Sequence, residues 1–132
     1  MKVSSESLHE PRENLPDEVI DLHRAIVSLM EELEAVDWYN QRAAVCTDPE
    51  LKGILEHNRD EEIEHAAMVL EWIRRSTPRF DEELRTYLFA DGSILDAETE
   101  ATSGEGESGS SPGGSSETGG IHLGDLRGQG NT

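Results

Sequence analysis

With one cysteine in 132 residues, the chain has neither an internal disulfide nor a cysteine-rich zinc site available to it. Basic residues are also scarce: 11 Lys and Arg stand against 29 Asp and Glu, a formal net charge of −18. That balance excludes recognition of nucleic acid or of an anionic lipid surface, both of which need clustered cations. An acidic surface suits cations instead. No apolar run approaches the roughly 18 residues of a membrane span, and Met1 to Glu6 does not read as a secretory signal. The chain is therefore expected in the cytosol, with no nucleic-acid and no membrane partner. Glycine is nearly missing from the first two thirds: of 12 glycines, only Gly53 precedes residue 91.

What is present is unevenly placed. Residues 97–120 hold 7 Gly, 6 Ser, 3 Thr and 5 Glu, with no side chain worth burying. This composition predicts a flexible acidic tether, spanning roughly 25–30 Å by random-coil scaling. Apolar residues then return in Ile121-His122-Leu123-Gly124-Asp125-Leu126-Arg127-Gly128. Apolar anchors at the end of a tether have the pattern of a peptide that docks in a partner's groove, the plain alternative being an inert tail. Residues 1–90 carry 10 basic and 21 acidic residues, a charge of −11; residues 91–132 carry 1 and 8, a charge of −7. The expected organisation is an N-terminal extension (1–15), a helical unit (16–91), a disordered acidic Gly/Ser linker (92–120), a docking peptide (121–128) and a short tail (129–132). A folding unit of about 80 residues is marginal alone and often needs a partner or a metal.

The unit reads as all-α: a helical hairpin followed by a short third helix. Pro16, Asp17 and Glu18 make a helix start. Apolar residues then recur with helical period at Val19, Leu22, Ile26, Leu29, Met30, Leu33 and Val36, as far as about Val45. Thr47-Asp48-Pro49-Glu50 breaks this helix and begins the next, with Thr47 as N-cap and Glu50 closing a capping box. The second helix runs to Thr77-Pro78, and a third carries Phe80, Leu84, Tyr87 and Leu88 before Ala90-Asp91-Gly92 stops it. Ile20, Val27 and Trp38 form a second apolar face on the first helix. A helix apolar on two sides packs on two sides, so two hairpins are expected to pair into a four-helix bundle.

Two acidic placements carry the chemistry. At about 100° per residue, Trp72, His65, Asn58, Val69, Glu62 and Ile73 all fall within about 100° of Ile54. Glu62 and His65, spaced Glu-x-x-His, thus lie inside the apolar stripe and point the same way. A carboxylate there must be paired or bind metal. The bland solution is a structural contact to an Arg or to His65 itself, and Glu61 also lies near the stripe. Glu32 favours metal: it is 15 residues before Thr47 and Glu62 is 15 after, so an antiparallel hairpin sets them level. One Glu and one Glu-x-x-His are half of the ligand set of ferritin-like di-iron carboxylate proteins, and a two-fold dimer completes it. Such donors suit iron, with manganese or zinc as competitors. Glu31 and Glu34, beside Trp38, are either solvated or a weak cation-attracting station. Tyr39 is placed to support a ligand. His9, His23, His57 and Cys46 read as ordinary polar residues.

Glu31-Glu32-Leu33-Glu34-Ala35-Val36-Asp37-Trp38-Tyr39, His57-Asn58-Arg59-Asp60-Glu61-Glu62-Ile63-Glu64-His65 and Leu70-Glu71-Trp72 together resemble the encapsulated ferritins, cargo enzymes of bacterial encapsulin nanocompartments. The resemblance covers about residues 9–90 and again about 120–128. It implies a di-iron ferroxidase centre between two hairpins, with Glu32, Glu62 and His65 as iron ligands and catalytic residues. Glu31 and Glu34 would form an acidic iron-access site with Trp38 beside it. Five dimers would close a ring decamer, Fe²⁺ and dioxygen would be the substrates, and the mineral would be stored inside the shell, in the bacterial cytoplasm. Ile121, Leu123, Gly124, Leu126 and Arg127 would dock to the encapsulin shell protein. Two other readings share these features: a non-enzymatic helical adapter or shell-cargo protein, and a di-iron peroxidase of the rubrerythrin kind.

Overall fold

The computed structural model describes residues 7–104. Within them the chain is entirely helical. After a short 3-10 turn at Arg12–Asn14 come α1 (Asp17–Val45), α2 (Pro49–Ser76), α3 (Pro78–Tyr87) and α4 (Ile94–Gly104). α1 and α2 form a long antiparallel hairpin, α3 packs against the end of α2, and α4 touches α3. At 29 and 28 residues, α1 and α2 are each about 40 Å long. No helix among the described residues is long and apolar enough to cross a membrane.

Local chemistry accounts for the boundaries. The Pro16 carbonyl accepts the first amides of α1, from Val19 and Ile20, with Asp17 and Glu18 in the first turn facing the positive end of the helix dipole. The hairpin turn differs in one detail from expectation. The N-cap of α2 is Asp48, whose carboxylate accepts from the Leu51 amide at 2.8 Å, so Thr47 is not the cap and the Thr47/Glu50 capping box does not form. Pro49 at the first helical position fixes this choice: the residue before it is held extended, as a cap must be. α3 ends at Tyr87, earlier than the Ala90-Asp91-Gly92 stop. Phe89 takes a left-handed φ of 60° there, and Gly92 turns the chain again at φ 82°. A non-glycine residue in that region is unfavourable by about 1 kcal/mol.

α4 is a correction to the expected linker, which was to begin at residue 92. Ser93 Oγ accepts from the Asp96 amide at 3.4 Å, and the hydroxyls of Thr99, Thr102 and Ser103 donate back to carbonyls of their own helix. Ala97, Glu98, Glu100 and Ala101 are strong helix formers. None of the residues of α4 is buried. Contact with α3, without full burial of any residue, is the tertiary support that this short helix has. The rest of the linker, the docking peptide and the terminal tail lie outside the described residues, as do the first six residues of the N-terminal extension.

The core is thin. Among the described residues only Ile20, Ala43, Ala66 and Ile73 are buried hydrophobic residues. Ile20, expected on the second face, is the large side chain that α1 buries, beside Ala43. Val19, Ile26 and Leu33 of the expected main stripe are exposed, as are Ile54 and Trp72 on α2. Periodicity finds an apolar face but not the neighbour that covers it. Small residues at Ala43 and Ala66 let the two helices approach, and the larger apolar side chains are turned outward.

Candidate metal centre

Glu32 is carried by the middle of α1; Glu62 and His65 sit one turn apart on α2. The short turn, Cys46 to Asp48, brings the two helices back at the same height. One ligand atom from each of the three residues lies within 4.8 Å of the other two. His65 Nδ1 is 3.3 Å from Glu62 Oε2 and 3.7 Å from Glu32 Oε2. The two carboxylate side chains are each about a quarter exposed (26%) and the imidazole is 45% exposed. No polar or charged residue among those described is fully buried. In a single hairpin the site is thus an open half-cup on the same side as uncovered apolar residues, not the closed pocket that the stripe suggested.

The electrostatics are those of two acids forced together. Glu32 is held above the ordinary carboxyl value, first by sharing a proton with Glu62, then by partial burial and the negative charge of Glu62; His65 opposes this. Glu62 is held below it, because the Glu32 carboxyl donates to it and His65 adds a second contact. Two carboxyl groups that perturb each other in this way are eased by a cation placed between them. With two oxygen donors and an imidazole converging on one point, the chemistry of the set fits a divalent metal such as iron.

The bland alternatives can be compared with the geometry. Among the described residues no arginine reaches Glu62: the guanidinium of Arg59, one turn away, is bound to Asp60 and Asn40. Glu61 points away from the triad and lies 2.9 Å from His57 Nε2, both exposed. Glu31 and Glu34 are exposed on α1, and neither makes an ion pair among the described residues; Glu31 adds a weak repulsion to Glu32. Trp38 is half exposed on the same helix. Tyr39 does not hydrogen-bond the triad: its ring lies 5.5 Å from the Arg42 guanidinium carbon. Cys46 is a free thiol at the turn, 3.7 Å from the Asp48 carbonyl. Ile121, Leu123, Gly124, Leu126 and Arg127 lie outside the described residues. The contact between Arg59 and Asn40 had no signature in the sequence. Asn40 is 7 residues before Thr47 and Arg59 is 12 after, and only the reach of an arginine spans that offset.

Comparison with known proteins agrees with this helical fold. The chain is 54% identical over 131 residues to a protein of Rhodospirillum rubrum named "Encapsulated ferritin-like protein", covering 98% of this chain and 94% of that one. It is 50% identical over 105 residues to a Thermotoga maritima "Ferritin-like protein", covering 80% and 92%. A crystal structure of a protein from Nitrosomonas europaea aligns with a TM-score of 0.65 at 64% identity, over 67% of this chain and 97% of the other. Residues 7–91, which hold the whole triad, match the EncFtn-like family, and the chain belongs to that family.

Proposed function

We propose that the chain is a ferroxidase that oxidises Fe²⁺ to Fe³⁺ with dioxygen at a two-iron centre formed between two copies. The observation that carries this is the convergence of Glu32, Glu62 and His65 from two helices, with ligand atoms within 4.8 Å of one another. One hairpin supplies one Glu and one Glu-x-x-His. Ferritin-like di-iron bundles use two of each, so a two-fold pair of hairpins makes the set complete. The same pairing covers the outward Ile26, Leu33, Ile54 and Trp72. Iron is the substrate here, and each Fe²⁺ oxidised gives one electron to dioxygen. The protein's part is to hold the metal with charged oxygens and a neutral imidazole, to release the proton shared by Glu32 and Glu62 when the cation binds, and to shed water as the second hairpin closes the cup.

The exposed Glu31 and Glu34, with Trp38 beside them, serve in this reading as an acidic access point that raises the local concentration of Fe²⁺. The name of the Rhodospirillum rubrum relative supports placing this chain, too, inside an encapsulin shell in the bacterial cytoplasm. The residues assigned to dock there are Ile121, Leu123, Gly124, Leu126 and Arg127. The dimers are taken to close a ring decamer whose Fe³⁺ is stored inside the shell.

The deciding experiment is aerobic iron oxidation by the assembled protein. The double variant Glu62→Ala/His65→Ala is expected to lose most of the activity of the parent, and full activity would refute the assignment. Stoichiometric metal in the purified protein separates an enzyme from a helical adapter. The consumption of oxygen and peroxide separates a ferroxidase from a peroxidase.

A further inference from the structure

α1 and α2 hold together by few directional contacts. Their buried residues are two alanines and two isoleucines, smooth side chains that add little to what the short turn does in setting the register of the helices. One turn of slippage is 5.4 Å, and a single residue is 1.5 Å. Either would change the spacing of Glu32 against Glu62 and His65, since they stand on different helices. Apart from the triad itself, the described residues make one hydrogen bond between the side chains of α1 and α2: Arg59 Nη1 donates to Asn40 Oδ1 at 3.1 Å.

The geometry of that bond is built. Arg59 Nε and Nη2 both reach Asp60 Oδ1, at 3.0 and 2.9 Å, which fixes the plane of the guanidinium and leaves Nη1 for the other helix. The Arg59 side chain is 28% exposed, close to the 26% of Glu32 and Glu62. Arg59 is three residues before Glu62, so the two side chains share a face of α2. A lysine could keep the charge but not serve two partners with one rigid fork. Asn40 lies on the turn side of Glu32, so the bond stands between the hairpin turn and the metal ligands.

We propose that Arg59 and Asn40 are positioning residues: together they form a pin that fixes the register of α1 against α2 and so the height of Glu32 relative to Glu62 and His65. The proposal deepens the ferroxidase assignment and rests on it. The pin touches no metal. Its effect is on how well the three ligands are arranged before the metal arrives, and displaced supports of this kind weaken metal binding by about 10- to 100-fold.

The test uses the full-length assembled protein in two measurements: half-saturation and kcat for Fe²⁺ oxidation, and binding of Co²⁺ followed by its visible absorption, which reports ligand geometry. Asn40→Ala and Arg59→Lys are expected to raise half-saturation and weaken Co²⁺ binding about tenfold, at the low end of that range. Asn40→Asp, which keeps the acceptor oxygen, is expected to restore both. Native mass and melting temperature are recorded for each variant. Parent-like half-saturation and Co²⁺ spectra in Asn40→Ala and Arg59→Lys would overturn the pin. So would losses that only follow the melting temperature and that Asn40→Asp does not repair. Glu62→Ala is the control: if it binds Co²⁺ and oxidises Fe²⁺ like the parent, the ferroxidase assignment itself fails, and the pin has no metal site to serve.

Discussion

Neighbouring residues on α2 have opposite fates, and one step of rotation separates them. Glu61 is outside with His57; Glu62 is inside with Glu32 and His65. The sequence left both open as the acid on the stripe, because about 100° per residue places each near its edge. The equal distances of Glu32 and Glu62 from Thr47 were the better guide, since a three-residue turn leaves little freedom in how α2 returns along α1. The role of Ile73 was less visible. It was one of several apolar residues on a broad stripe, yet among the described residues it alone of the large side chains is fully buried, at 1% exposure. Truncating it leaves a hole that two thin helices cannot easily close. Ile73→Ala is therefore expected to cost about 2–5 kcal/mol. Denaturant unfolding of the assembled protein checks this, and a loss under about 1 kcal/mol would mean that Ile73 is not the anchor of the core.

At the scale of the helices, the corner between α2 and α3 is held by charge. Arg74 donates to both oxygens of Glu71, each at 2.7 Å, and reaches across the corner to Asp81. Arg75 also bonds Glu71, at 2.9 Å, and Arg85 bonds Asp81. The two arginines hold the Glu71 carboxyl well below its ordinary 4.5, down to about 2, and Asp81 is lowered for the same reason by Arg85 and Arg74. The folded state thus prefers these groups ionised. Their contribution is complete above 4.5 and fades as the pH falls towards 2, because the unfolded chain takes up its proton first. The gap in melting temperature between the parent and Glu71→Gln is expected to be constant above 4.5 and to narrow steadily down to about 2. A gap that stays level throughout that range would contradict it. This corner was legible only as a break, Thr77-Pro78; the arginine fork that sets its angle joins residues from two helices, which no periodicity displays. α4 was missed for a different reason: its composition promised no core, while Ser93 at its start and contact with α3 support it without burying a residue.

The molecule as a whole leaves much apolar surface uncovered. Its long helices expose Ile26, Leu33, Ile54, Ile63 and Trp72, while among the described residues four buried hydrophobic residues make the core. A first helix apolar on two sides was readable in the sequence, although which side faces its own hairpin was not. In one hairpin Glu32 and Glu62 already perturb each other, Glu32 being raised and Glu62 lowered; in the proposed pair of hairpins four such carboxylates would stand together, on chains that each carry −11 over residues 1–90. Like charges at that distance oppose association, and a pair of divalent cations between them reverses the sign. Metal and assembly are then coupled, since a cation that takes ligands from both hairpins acts as a clip. Removing metal with a chelator at neutral pH is expected to shift the native mass towards dimer and monomer, and adding Fe²⁺ without oxygen to restore the larger species. Glu32→Ala, with one carboxylate fewer per chain and an incomplete ligand set, should no longer respond to either treatment. If the parent keeps its full mass after the metal has been stripped and verified absent, apolar burial alone holds the assembly and the coupling is wrong.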